Sequence, residues 1–153
     1  MKARMNPFAA APALMKEMLD FSGKVQGSGL EANLMELVKI RASQINGCAF
    51  CIHMHTRDAR AHGETDERIF LLNAWRESPL YSDRERAALA WTEALTLVSQ
   101  THAPEADYTA MRAHFSEEES VKLTLMIGVI NTWNRISIGF QSIHPVTARS
   151  EAA

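Results

Sequence analysis

Apolar residues recur along most of the chain at intervals of three and four, which is the spacing of one face of an α-helix. This spacing holds over residues 12–24, and Gly27 and Gly29 end it. A second apolar face follows and ends at the turn signal Asn46-Gly47. No segment shows the sustained alternation of a half-buried strand. The sequence therefore predicts an all-α protein.

Start and stop signals divide the remaining chain into five further helices. Two Ser-x-x-Glu capping boxes, at Ser82 and Ser116, mark clear helix starts. The predicted helices are a third over 48–61 stopped by Gly63, a fourth opened by Thr65-Asp66, a fifth over 83–99, a sixth opened by Pro104 and a last over 117–140. We expect one compact bundle of about six to seven helices in a single domain, 1–153, with residues 1–11 as an N-terminal arm.

The last predicted helix is apolar on several faces rather than on one stripe. Its apolar positions are Val121, Leu125, Met126, Val129, Ile130, Trp133, Ile136 and Phe140. A helix that is apolar all round is normally central to a core or buried in an interface. We therefore expect a homo-oligomer.

Composition and charge exclude several classes of protein. Apolar residues make up 46% of the chain, and 16 basic against 18 acidic residues give a net charge of −2. A dedicated nucleic-acid binder would carry a basic surplus, and a disordered chain would be less apolar. The longest strongly apolar stretch, residues 123–130, is far shorter than the roughly 20 residues of a membrane span. We expect a cytoplasmic location and no membrane or nucleic-acid partner.

The candidate chemistry lies in the pair Cys48 and Cys51, the only cysteines of the chain. Residues three and four apart share a helical face, so Cys48, Cys51 and His55 are predicted to lie together. Gly47 suggests that both thiols lie in the first turn of the helix, where the helix dipole favours thiolate over thiol. A nearby imidazole could accept a thiol proton. This pattern favours a dithiol that attacks an oxidant and closes into a disulfide.

Other interpretations of the pair stay open at this point. Buried cysteines are often inert packing residues. Cys48, Cys51 and His55 with an acidic fourth ligand would suit zinc, although a second C-x-x-C is lacking. A static stabilising disulfide is less expected in a reducing compartment.

The segment SQINGCAFCIHMH resembles the alkylhydroperoxidase D-like branch of the carboxymuconolactone decarboxylase family. The resemblance rests on the run that leads to Cys48, on Cys51 and on His55. Glu36, twelve residues before Cys48, matches the acidic position of the family, and Asn131-x-Trp133-Asn134-Arg135 is also similar to this branch. The likeness covers roughly residues 30–140.

The resemblance implies an all-helical fold that assembles into trimers or hexamers and reduces hydroperoxides. It implies that Cys51 is the peroxidatic thiol and Cys48 the resolving thiol, with His55 and Glu36 in a proton relay. An external dithiol or thiol protein would then reduce the disulfide, and no metal or organic cofactor would be needed. The alternatives are a lactone decarboxylase, which does not depend on a cysteine pair, and a non-enzymatic redox adaptor or zinc-binding scaffold.

The sequence departs from the family pattern at one position, and helical reasoning disagrees with the resemblance in two places. Phe50 stands where the best-known relatives have a second histidine between the cysteines. The helix dipole favours Cys48 as the thiol of lower pKa, whereas the resemblance assigns attack to Cys51. By helical counting Glu36 lies about 120° from the apolar face of its helix, which predicts a solvated charge.

Several polar residues near these helices have structural interpretations. Arg41 lies within an apolar stripe, so we expect it to pair with a carboxylate or to lie at a subunit interface. Asn131, Asn134 and Arg135 are expected to satisfy polar groups between helices or subunits.

Overall fold

The computed structural model describes residues 1–146, and over this range the chain is all-helical. Nine α-helices follow one another in the described range, together with one short 3₁₀ turn. They are α1 (Pro7–Ala10), α2 (Pro12–Gln26), α3 (Ala32–Asn46), α4 (Ala49–Ala61), α5 (Asp66–Leu71) with the 3₁₀ turn Leu72–Ala74, α6 (Asp83–Thr96), α7 (Val98–Thr101), α8 (Glu105–Arg112) and α9 (Glu117–Gly139). The all-α prediction is confirmed, and none of the described helices is long and apolar enough to cross a membrane.

The local signals in the sequence act as expected at most helix ends. Ser82 and Ser116 both form complete capping boxes, in which the serine hydroxyl accepts from the backbone of the glutamate three residues on. Gly47 ends α3 in the left-handed region at φ 71°, a conformation that favours glycine. The prediction of the last helix over 117–140 differs from the structure by one residue at its end.

Two four-residue helices were not predicted. The arm 1–11 contains α1, because the Asn6 side chain accepts from the backbone of Phe8 at 3.0 Å and Pro7 occupies the first helical position. The fifth predicted helix, 83–99, was too long: α6 ends at Thr96 and α7 begins at Val98. The Thr101 hydroxyl donates to the carbonyl of Ala94 at 2.6 Å and so ties the end of α7 to the last turn of α6.

The helix α3 is the centre of the molecule, since it packs against α4, α6 and α9. Leu37, Val38 and Ile40 are fully buried on it. One apolar cluster joins α3 to α2, α6, α8 and α9, and a second joins it to α4, α5 and α6. A helix surrounded on several sides has no broad solvent face, so its polar residues must find partners inside the protein.

Arg41 shows how one such residue is accommodated. Its guanidinium donates to Glu93 on α6 at 2.8 Å, which confirms the expected pairing with a carboxylate. Glu93 also accepts from the indole of Trp75 at 2.8 Å and from Arg76. Burial raises the pKa of Glu93, but these three hydrogen bonds lower it by more than burial raises it. The net pKa of Glu93 therefore lies below the usual range.

Replacing Glu93 with glutamine should therefore destabilise the fold in a pH-dependent way. A carboxylate with a lowered folded pKa contributes stability above its unfolded pKa of about 4.3, and this stability is lost as the pH falls through the folded pKa. The difference in melting temperature between wild type and Glu93→Gln should be largest near neutral pH and shrink towards pH 3. Glu17→Gln, at an exposed position of α2, is the matched control. A difference that stays constant with pH would contradict this account.

Candidate active site

The two cysteines lie at the start of α4, as predicted. Cys48 is the N-cap residue, and its sulfur accepts from the backbone N–H of Cys51 at 3.3 Å. The sulfurs are bonded as a disulfide, with Cα atoms 5.4 Å apart, within the ordinary range for such a bridge. Both residues are 1% exposed. The fold thus presents the pair in one helical turn, at the positive end of the α4 dipole.

The turn before the cysteines is fixed from both sides. The backbone N–H of Cys48 donates to the carbonyl of Ser43 at 2.9 Å, closing the tight connection between α3 and α4. Asn46 donates its amide to Asn131 at 3.0 Å and to Asn134 at 2.8 Å, both on α9. This network confirms that these asparagines satisfy polar groups between helices, and it ties the cysteine turn to α9.

His55, which lies one turn after Cys51 on α4, meets Glu36 of α3. His55 Nδ1 lies 3.0 Å from Glu36 Oε2, and both side chains are buried. The prediction from helical counting that Glu36 is solvated was wrong, since the residue is only 2% exposed. Glu36 faces α4 at the α3–α4 contact, and the helices packed around α3 exclude water from this position.

Lys39 completes this buried group, and sequence reasoning did not find it. Its ammonium contacts the second oxygen of Glu36 and donates to Gln26 Oε1 on α2 at 2.8 Å. The spacing Glu36-x-x-Lys39 is a common helical ion pair and, taken alone, predicts a surface pair. Only the burial of both partners, which depends on α2 and α4, makes it part of the site.

The carboxylate of Glu36 stays ionised in this environment. Burial raises the pKa of Glu36, but the hydrogen bond with His55 and the charge of Lys39 lower it more, so the net pKa lies below the usual range. An ionised carboxylate only accepts hydrogen bonds, so Nδ1 of His55 carries the proton in this contact. That assignment leaves Nε2 as the nitrogen able to accept a proton.

The donor atoms of Glu36, His55 and Asp58 lie within 4.8 Å of one another, close enough for a metal ion. The residues fit such an ion poorly, because one oxygen of Glu36 already holds the Lys39 ammonium and the other holds His55. A divalent cation would be repelled by that ammonium. The zinc set considered from the sequence needs two thiolates, which the bonded cysteines do not offer in this state.

A mainly apolar cavity of about 830 Å³ adjoins the cysteine turn. Phe50, His55, Ile130 and Trp133 form part of its wall. Ile130 belongs to the buried cluster that contains both cysteines, and Phe50 and Trp133 pack against that cluster. The cavity therefore lies one layer of side chains from the disulfide. Its volume falls in the range of small-molecule sites.

His53 does not join this group. Its ring stacks on that of His144, beyond the end of α9, with centroids 4.6 Å apart. Phe50, where the resemblance implied a second histidine, lines the cavity and packs against the cluster that contains the cysteines. The imidazole that the structure brings to Glu36 is that of His55.

Comparison with known proteins defines the class. The model of the carboxymuconolactone decarboxylase family matches residues 12–94, and the chain belongs to this family. The alkylhydroperoxidase D-like branch is supported by a solved structure, ATU0492 of Agrobacterium tumefaciens, a protein of unknown function provisionally described as the antioxidant defence protein AhpD. That chain is 49% identical with a TM-score of 0.93, and the match covers 95% of this chain and all of the other.

Other relatives extend the comparison. The uncharacterized protein YdfG of Bacillus subtilis (strain 168) is 47% identical over 138 residues, which are 90% of this chain and 94% of YdfG. The debrominase Bmp8, in complex with 2,3,4-tribromopyrrole, has a TM-score of 0.80 at 17% identity, with 91% of this chain and 74% of Bmp8 covered. At that identity the likeness shows the fold alone. The family and the AhpD-type relative point to an antioxidant, peroxidase-related function.

The asparagine network should contribute measurable stability. Asn134 is fully buried, donates to Ser43 at 3.0 Å and accepts from Asn46. Asn134→Ala would remove the donor to the buried Ser43 hydroxyl and leave Asn46 with Asn131 as its acceptor. Losing a partner of a buried polar group costs about 1–3 kcal/mol. Urea unfolding should show a clearly lower midpoint than for Thr132→Ala, an exposed control on the same helix. Equal midpoints for the two variants would show that the network does not hold the turn.

Proposed function

We propose that this protein is a thiol-dependent peroxidase that reduces hydroperoxides through a Cys48–Cys51 dithiol/disulfide cycle. The observation that carries the proposal is the disulfide in the first turn of α4, with a buried His55–Glu36 pair one helical turn further along the same helix. The cysteines are close enough to exchange between dithiol and disulfide within one chain. The family and its AhpD-type relative support the same chemistry.

The proposed cycle begins with the reduced enzyme. The Cys51 thiolate attacks the terminal oxygen of a hydroperoxide, the O–O bond breaks, and the remaining oxygen leaves with a proton as alcohol or water. Cys51 is then a sulfenic acid. The Cys48 thiol attacks that sulfur, releases water and forms the disulfide, so one hydroperoxide consumes two thiols. An external dithiol or thiol protein restores both thiols by exchange.

His55 is proposed to move the protons of this cycle. Thiolate rather than thiol is the nucleophile, so a base must take the proton of the attacking cysteine. His55 Nε2 is the available nitrogen, because Nδ1 donates to Glu36. Glu36 orients the ring and stabilises the imidazolium that forms, in the manner of a carboxylate–histidine pair.

The neighbouring cavity supports an organic hydroperoxide as substrate. Its apolar wall includes Phe50 and Trp133, while His55 and Lys39 provide polar groups at the same cavity. The apolar part of an organic hydroperoxide would bury its surface against this wall. Its hydroperoxide group would then lie near the polar residues.

We further propose that the protein forms a homo-oligomer, either a trimer or a hexamer. Val121, Leu125 and Ile138 on α9 are 59%, 41% and 45% exposed in the single chain. These large apolar side chains on one long helix suit a surface that a second copy covers.

Cysteine variants test the cycle and the order of the thiols. With cumene hydroperoxide and dithiothreitol, Cys51→Ser should lose turnover completely. Cys48→Ser should still form a sulfenic acid on Cys51, which dimedone traps and mass spectrometry locates. A trapped sulfenate on Cys48 in Cys51→Ser, with none on Cys51 in the other variant, would reverse the order. Full turnover in both variants would exclude the dithiol cycle.

Replacing His55 tests the proton transfer. General acid–base catalysis is typically worth about 10²–10⁴-fold, so His55→Ala should slow peroxide reduction by that order near neutral pH. The deficit should shrink as the pH passes the pKa of a free thiol, about 8.5, where hydroxide removes the proton unaided. His62→Ala, at the exposed far end of α4, is the control. A loss that is independent of pH would mean that His55 positions the site without moving protons.

A further inference from the structure

Lys39 is a buried cation for which the peroxidase cycle has no assigned use. The residue is 7% exposed and lies one turn after Glu36 on α3. Lysine is almost never buried without a partner, because its ammonium loses its hydration. Here one partner is the Glu36 carboxylate and the other is the neutral Gln26 on α2. Lys39 and His55 also line the same cavity.

The carboxylate of Glu36 thus stands between two groups that can carry positive charge. Its Oε1 contacts Lys39, and its Oε2 contacts His55 at 3.0 Å. Lys39 holds a fixed charge, whereas His55 gains and loses a proton during the proposed cycle. The ammonium and the imidazole therefore compete for one negative charge.

The other charged groups around α3 have partners of their own or lie further out. Asp58 on α4 has its carboxylate 3.9 Å from His55 Nδ1, and its side chain is 51% exposed. On the remaining neighbours of α3, Glu93 of α6 is held by Arg41, Arg135 of α9 donates to Asn131, and α2 presents the neutral Gln26. Among the described contacts, Lys39 is therefore the fixed cation nearest to the His55–Glu36 pair.

We propose that Lys39 is a positioning residue of the peroxidase. This inference rests on the proposed function: the ammonium holds Glu36 as the ionised acceptor of His55 and so sets the pH at which His55 can take the thiol proton. Lys39 acts through Glu36, and the proposal assigns it no contact with the reacting sulfur or the peroxide.

The direction of the effect follows from the charges. A fixed positive charge opposes the addition of a proton to the neighbouring His55–Glu36 pair, so its removal lets the pair keep a proton to higher pH. Lys39 and His55 each contact one oxygen of the same carboxylate, and a charge within about 4–6 Å shifts a pKa by about 1–3 units. Without the ammonium, the pH at which His55 becomes free to accept a proton should rise by about one unit.

Two measurements test this on four variants. Lys39→Met and Lys39→Gln remove the charge, and Lys39→Arg keeps it. Lys122→Met, which breaks the ion pair with Glu118 on α9, is the matched control. The first measurement is the rate of disulfide formation with cumene hydroperoxide against pH. The second is the titration of the His55 ring by NMR in the disulfide form, which does not depend on activity.

In both neutral variants, the rising limb of the rate profile and the His55 titration should move to higher pH by about one unit. Lys39→Arg should restore both, and Lys122→Met should change neither. Circular dichroism identifies any variant that fails to fold.

A result that overturns the role of Lys39 differs from a result that overturns the proposed peroxidase function. An unchanged His55 titration in folded, active neutral variants would overturn the role of Lys39 and leave the peroxidase proposal intact. If both neutral variants unfold while Lys39→Arg folds, Lys39 is a structural counter-ion and the inference is wrong. A wild-type protein that leaves hydroperoxide unreduced would overturn the proposed function, whatever the NMR titration shows.

Discussion

The buried carboxylate of Glu36 is the constraint on which the candidate site depends. An ionised carboxylate inside a protein is very costly unless its oxygens are paired. Here each oxygen has its own partner, Lys39 from the same helix and His55 from α4, and Lys39 in turn binds Gln26 of α2. One charge therefore fixes three helices relative to one another. It also fixes the tautomer and orientation of the one imidazole that reaches it.

The cysteine turn is held by a second, neutral system. Gly47 allows α3 to end abruptly, and Asn46 is held by two asparagines of α9. The turn delivers Cys48 and Cys51 to the first turn of α4, while the Glu36 group holds His55 one turn further along the same helix. The two systems share α3 and α4 but hold the thiols and their base through different partner residues.

Much of this arrangement was readable from local patterns. Capping boxes at Ser82 and Ser116 and the glycine at position 47 depend on a few neighbouring residues, and their helix ends lie where the sequence predicted them. The shared face of Cys48 and Cys51 likewise follows from helical spacing. The short helix α1 carried a local signal too, in Asn6-Pro7, but four residues are too few to produce a periodic pattern.

The placement of Glu36 and Lys39 could not be read in this way. A glutamate and a lysine three residues apart look like a solvated surface pair, and helical counting shows only the face on which each lies. Whether that face meets water depends on where α2 and α4 pack, which is a property of the whole fold. The resemblance at the cysteine segment pointed to Glu36 through its family position, but it gave no reason to notice Lys39 or Gln26.

The most direct test of the central claim is a single-turnover titration of the reduced protein. One equivalent of cumene hydroperoxide is added, free thiols are counted and the alcohol product is measured. Our account predicts that each chain loses two thiols and forms one alcohol, with the new Cys48–Cys51 bond found within a single chain. Retention of both thiols, or a covalent dimer on a non-reducing gel in place of the internal bridge, would contradict it.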